Sequence, residues 1–169
     1  MVVLSVRILL ENYNPEWPEL YRREANRISA ALDRRVLQIE HAGSTAVPGL
    51  AAKPTIDVIL VVANSADESV YVPDLEAAGY LLRIREPHWY EHRMFKGPRT
   101  DINLHVFSRG CPEIDRMLRF RNWLRSNAAD HDLYARTKMD LAQHEWGQVQ
   151  DYADAKTAVI EEILARARV

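Results

Sequence analysis

Residues 41–62, HAGSTAVPGLAAKPTIDVILVV, carry a Gly-Ser turn at Gly43 and Ser44, a loop rich in proline and glycine, and an apolar strand opening on Asp57. Gly43 lets backbone amides approach an anion closely and the Ser44 hydroxyl adds a donor, so the turn can cradle phosphate oxygens. Asp57 then stands across the site as a magnesium ligand. Lys53, at the end of the loop, reaches the same anion by sequence proximity. The competing reading is an ordinary turn, with Asp57 hydrogen-bonded to a loop amide and Lys53 solvated.

A second set of groups lies at 101–107. In a strand the side chains alternate, so Ile102, Leu104 and Val106 share one face while Asp101, Asn103 and His105 share the other. His105 suits a general acid or base, a direct hydrogen bond to phosphate, or a plain bond to a carbonyl within the sheet. The C-terminal part supplies cations. Tyr134, Lys138 and Leu141 recur on one helical stripe, and Tyr152, Lys156, Val159, Ile160 and Ile163 on another, which turns both lysines inward. A buried lysine is costly unless paired. Either the two ammonium groups line a cleft for a multiply charged anion, with Tyr134 and Tyr152 beside them, or they snorkel to water or pair with Glu24 or Asp57. Arg121, set among Met117, Leu118, Phe120 and Leu124, offers the anion a bidentate guanidinium.

Other reactive types match no pattern. His88, Glu91, His92 and Arg93 have no zinc-site spacing and read as rim residues, while His131 and His144 read as solvated. Trp89 and Tyr90 either stack a base or cover an apolar patch. Cys111 is the single cysteine, which excludes an internal disulfide and a multi-cysteine zinc site and fits a reducing cytoplasm.

The elements that must position these groups follow from periodicity and breakers. The start, MVVLSVRILLENYNPEW, reads as an N-terminal strand, because Arg7 and Glu11 interrupt its apolar residues and no small-residue cleavage site follows. Pro15 and Pro18 open an amphipathic helix running to about Leu32. Strands are expected at 36–40 and 55–62, a helix at 67–78 ended near Gly79, a hairpin from 80–85 and 91–95 around Pro87, and a strand at 102–107. Helices are expected at 113–126, 130–145 and 151–167, giving a mixed α/β half followed by a helical half that packs over it.

With 169 residues, 47% of them hydrophobic, the chain has the size of one domain with a substantial core. A formal charge of −2 gives no global attraction to nucleic acid or to an anionic membrane. No run of about 18 apolar residues is present to span a bilayer.

The run from His41 to Asp57 resembles the GrpB family, as do INLHVF at 102–107, RFRNWLRSN at 119–127, YARTK at 134–138 and YADAK at 152–156, so the resemblance covers nearly the whole chain. It implies an α+β domain of nucleotidyltransferase-like fold, a mixed sheet with helices packed on it, of a kind also found fused behind some dephospho-CoA kinases. Against the nucleotidyltransferase pattern, the second carboxylate, two residues after the first, is Ile59, and the third falls near His105. Two magnesium ions need several hard oxygen ligands. Asp57 and His105, with His41, are therefore expected to hold at most one softer divalent ion such as Mn²⁺ or Zn²⁺. Two functions are carried forward: an enzyme that binds a nucleotide or phosphorylated small molecule and transfers a nucleotidyl or phosphoryl group, with Asp57 and His105 catalytic, or a binding module without chemistry.

Overall fold

The computed structural model describes residues 4–168. A first helix, α1 (Trp17–Leu32), is followed by strands β1 (Gln38–Ala42) and β2 (Ile56–Val62), a short helix α2 (Val72–Ala77), and strands β3 (Leu81–Glu86), β4 (His92–Lys96) and β5 (Ile102–Ser108). Four helices close the chain: α3 (Pro112–Ser126), α4 (Ala128–Ala142), α5 (Val149–Ala155) and α6 (Thr157–Arg166). The strands form one mixed sheet in the order β1-β2-β5-β4-β3. Only β2 and β5 run parallel, because α2 and the β3–β4 hairpin carry the chain across between them.

The register sorts the side chains into two faces. On one, Ile56, Val58, Leu60, Ile102, Leu104 and Val106 pack against Trp17, Ile28 and Leu32 of α1 and Leu75 of α2 to form the main core. On the other, Asp57, Ile59 and Val61 lie beside Asn103, His105 and Phe107. Ile114 of α3 covers Ile59, Val61 and Phe107. The polar end of that face stays open. Helices α4 and α6 reach it from above, packed with the 47–50 loop through Val47, Leu50, Leu124, Tyr134, Val159 and Ile163.

The α+β arrangement and helical second half expected from the sequence are present, with local differences. The expected N-terminal strand falls in part on residues 1–3, which lie outside the described residues. Its remainder makes two isolated antiparallel pairs, Val6 with Trp146 and Glu11 with Ala52, since these partners sit in loops that offer no ladder to extend. The helix expected at 67–78 becomes a tight turn at Glu68–Val70 and α2 alone, because Pro73 lacks an N–H and is tolerated only in a first turn. The last expected helix divides at Lys156, whose amide bonds back to Ala153 at 3.2 Å in a tight turn between α5 and α6.

One carboxylate locks the helical half. Asp130, buried near the start of α4, accepts from Arg166 of α6 at 2.9 and 2.5 Å and from the Trp123 indole of α3 at 2.7 Å. These bonds hold its pKa below the ordinary carboxylate value, Arg166 contributing most. A depressed carboxyl contributes stability that is present above the unfolded pKa near 4 and lost as pH falls through the lower folded value. Asp130→Ala is expected to cost about 1–3 kcal/mol in urea unfolding at pH 7, since the half-buried Trp123 indole N–H and the solvent-screened Arg166 guanidinium lose their shared acceptor. The difference from wild type should shrink below pH 4.

Candidate functional site

The site begins where β1 turns into the loop before β2. Gly43 has φ +70°, and a Cβ there would sit 2.4 Å from Oδ2 of Asp57. Glycine is thus required twice, for the backbone conformation and for the close approach of the Asp57 carboxylate. Ser44–Ala46 then form one tight turn.

The helices bring cations down on this turn. Lys138, 2% exposed, donates from Nζ to Ser44 Oγ at 2.9 Å and lies over the Tyr134 ring at 5.1 Å. Lys156, at the α5–α6 break, lies over the Tyr152 ring at 4.7 Å. Burial, reinforced by Lys156, pushes the Lys138 pKa down to about 7. Burial also lowers that of Lys156, against the pull of Asp57. Neither ammonium has a carboxylate within salt-bridge distance among the described residues. Ser44 is thus engaged by Lys138 and hydrogen-bonded to the buried Tyr134 side chain.

These groups line a cavity of about 310 Å³ that also takes in Lys53, Thr55, Asp57 and Tyr152. The buried Tyr152 hydroxyl has no hydrogen-bond partner among the described residues. The cavity adjoins a larger one of about 610 Å³, which shares Ser44, Asp57, Asn103 and Lys156 and runs past His105 to Trp89, Met94 and Phe107. Another hollow of about 660 Å³, between β1 and the start of α3, has only Arg109 and Asp115 as charged walls and brings no reactive groups together.

On the sheet side, Asp57 Oδ1 is 3.1 Å from His105 Nε2. His105 Nδ1 is 3.0 Å from His92 Nε2, and His92 Nδ1 is 2.8 Å from Glu86 Oε1. Burial, then the neighbouring His105 ring, lowers the His92 pKa. His92 is 4% exposed and is no rim residue. The alternation of β4 places it on the same face as Met94, which pairs with His105. Alternation within the expected strand 91–95 sets His92 beside Met94, whereas its partner His105 comes from the non-local pairing of β4 with β5.

Two expected site residues lie elsewhere. His41 pairs with Val58 across β1 and β2, and so takes the face opposite Asp57. There it stacks on Tyr21 at 4.8 Å and bonds Thr45 Oγ1 at 2.9 Å. Burial and then Arg125 push its pKa down to about 4, which keeps it neutral. Arg121 donates to Glu40 at 2.9 Å and to the His41 carbonyl at 2.8 Å, fastening α3 to β1 away from both cavities. Glu24, the alternative partner for a lysine, instead accepts from the buried Tyr80 hydroxyl on the core side. Gly43, Ser44, Lys53, Asp57, His105, Tyr134, Lys138, Tyr152 and Lys156 do line the joined cavities.

A pair of metal ions does not fit this donor set. Asp57 is the sole carboxylate of β2, one of its oxygens is engaged by His105, and Ile59 stands two residues on. Among the described residues no three or more His, Cys, Asp or Glu side chains are grouped to hold an ion. Positive charge comes from the lysines instead. Because the Gly43 backbone abuts the carboxylate, Gly43→Ala is expected to cost about 1–3 kcal/mol in chemical unfolding through strain and a displaced Asp57. An unchanged midpoint would remove the close approach from the account.

The family model described as GrpB protein matches residues 7–166. A UPF0157 protein of Halalkalibacterium halodurans is 66% identical over 163 residues, covering 96% of this chain and 84% of that one. The crystal structure of the conserved protein GrpB from Enterococcus faecalis superposes with a TM-score of 0.81 at 33% identity, over 94% of this chain and 96% of that one. A dephospho-CoA kinase of Mycobacterium tuberculosis is 28% identical over an aligned length of 169 positions, gaps included, that covers 85% of this chain and 42% of the kinase. With a family match across almost its full length and a fold shared with a solved member, the chain belongs to the GrpB family.

Proposed function

We propose that the joined cavities bind a nucleotide or other phosphorylated small molecule, with its phosphates against Ser44, Lys53, Lys138 and Lys156 and its reacting group beside Asp57 and His105. One observation carries this reading: a buried ammonium group, Lys138, and a half-buried one, Lys156, converge on an open cavity without a carboxylate salt bridge. Burying like charges together is unfavourable unless an opposite charge arrives. A polyanion is that charge. The nucleotidyltransferase-like fold implied by the family resemblance supports nucleotidyl or phosphoryl transfer as the reaction. Asp57 would take the proton of an attacking hydroxyl as its oxygen bonds to phosphorus and the bond to the leaving oxygen breaks. The alternative, a binding module without chemistry, is favoured by the single carboxylate on β2 and the absence of a three-donor metal group among the described residues. The similarity to a stretch of dephospho-CoA kinase is compatible with either.

The test is titration calorimetry of nucleoside triphosphates, coenzyme A precursors and sugar phosphates, with and without Mg²⁺, Mn²⁺ or Zn²⁺. Lys138→Met should weaken the best ligand by about 1–3 kcal/mol, the loss of a charged hydrogen bond. The same change should raise the thermal midpoint of the free protein, because a buried amine is removed. Since Lys138 is charged below its pKa of about 7, wild-type affinity should rise as pH falls from 8.5 to 6.5. Equal affinity of wild type and Lys138→Met for every phosphate tried would contradict the reading. Turnover of the bound ligand by wild type and not by Asp57→Asn identifies the enzyme; binding without product in either identifies the module.

A further inference from the structure

The chain Asp57–His105–His92–Glu86 links side chains of four neighbouring strands, β2, β5, β4 and β3, along the cavity floor through three consecutive hydrogen bonds of 3.1, 3.0 and 2.8 Å. Each bond requires one proton. Two neutral imidazoles bring two. The third must be an extra proton, so the chain is fully bonded only when the two rings share one imidazolium charge between the carboxylates. The two ways of placing that charge differ by one hop across the central N···N bond and leave both outer bonds intact.

From this geometry we propose that the four side chains form a proton relay, in which Glu86 and His92 are positioning residues that hold an Nε2–H of His105 on Asp57 and connect Asp57 to solvent. The side-chain exposures suit the direction: His92 is 5% exposed, whereas Glu86, at the outer edge, is 44% exposed. A ligand seated over Asp57 would leave the outer end in contact with water. The charges facing the chain are Glu113 and Arg116 of α3, Lys156 at the α5–α6 break, and Arg93 on β4. Arg93 is already held by Glu68 at 2.8 Å and Arg116 by Glu113 at 3.2 Å, so neither donates into the relay.

The test is a pH titration of the imidazole nitrogens by NMR in the full-length protein labelled with ¹⁵N-histidine. Glu86 is exposed enough for substitution without loss of the fold. In wild type, His105 Nδ1 and His92 Nε2 should report uptake of one shared proton at a common midpoint. Glu86→Ala removes an outer acceptor and should lower that midpoint by at least one pH unit, a tenfold loss of proton affinity. Glu86→Gln, whose amide oxygen still accepts from His92 Nδ1, should keep the wild-type tautomer of His92. Two independently titrating rings in wild type, or a midpoint unmoved by Glu86→Ala, would overturn the relay. The readout is ring protonation and not ligand affinity, so its failure leaves the phosphate reading standing, and failure to bind phosphates leaves the relay standing.

Discussion

A buried ammonium group, Lys138, set beside a half-buried one, Lys156, near a single carboxylate is the constraint around which this structure is arranged. Lys138 comes from α4 and Lys156 from the break between α5 and α6, and their rings of support, Tyr134 and Tyr152, offer a π face rather than a countercharge. Such a placement costs stability and persists only if surrounding contacts overdetermine it. The Asp130 cluster supplies that rigidity by tying α3, α4 and α6 together. The Glu40–Arg121 pair fastens one of them, α3, to β1 of the sheet.

The sheet contributes by keeping its two faces chemically separate. Apolar residues of β2 and β5 fill the core face without interruption, so the opposite face can carry Asp57, Asn103 and His105 without weakening the main core. Gly43 then brings the turn backbone against Asp57. The result is a cleft with cations above, a carboxylate below, and a line of titratable groups leading away along the sheet. That combination suits handling of an anion together with a proton, and it does so without the several hard oxygen donors that a pair of magnesium ions requires.

Much of this was legible in the sequence because it rests on local periodicity. The stripes through Lys138 and Lys156 gave inward lysines, the alternation at 102–107 gave a polar face at His105, and the resemblance to GrpB over most of the chain located the Gly43–Asp57 turn. The misplacements have a common physical origin, in that they depend on non-local partners. Whether His41 shares a face with Asp57 is set by its register with Val58, and whether Arg121 is free is set by Glu40, 81 residues away in sequence. His92 looked like hairpin rim because its partner His105 is met only once β4 pairs with β5.

The central claim, that the cleft is built to receive an anion that restores charge to its lysines, is tested most directly by counting protons on binding. Calorimetric titration with the best-binding phosphate ligand at pH 7.5, repeated in buffers of different ionisation enthalpy, gives the number of protons taken up by the complex. With Lys138 near pKa 7 in the free protein, net uptake of a fraction of a proton is expected, abolished in Lys138→Met. Binding with no proton uptake in wild type, or with the same uptake in Lys138→Met, would contradict the account.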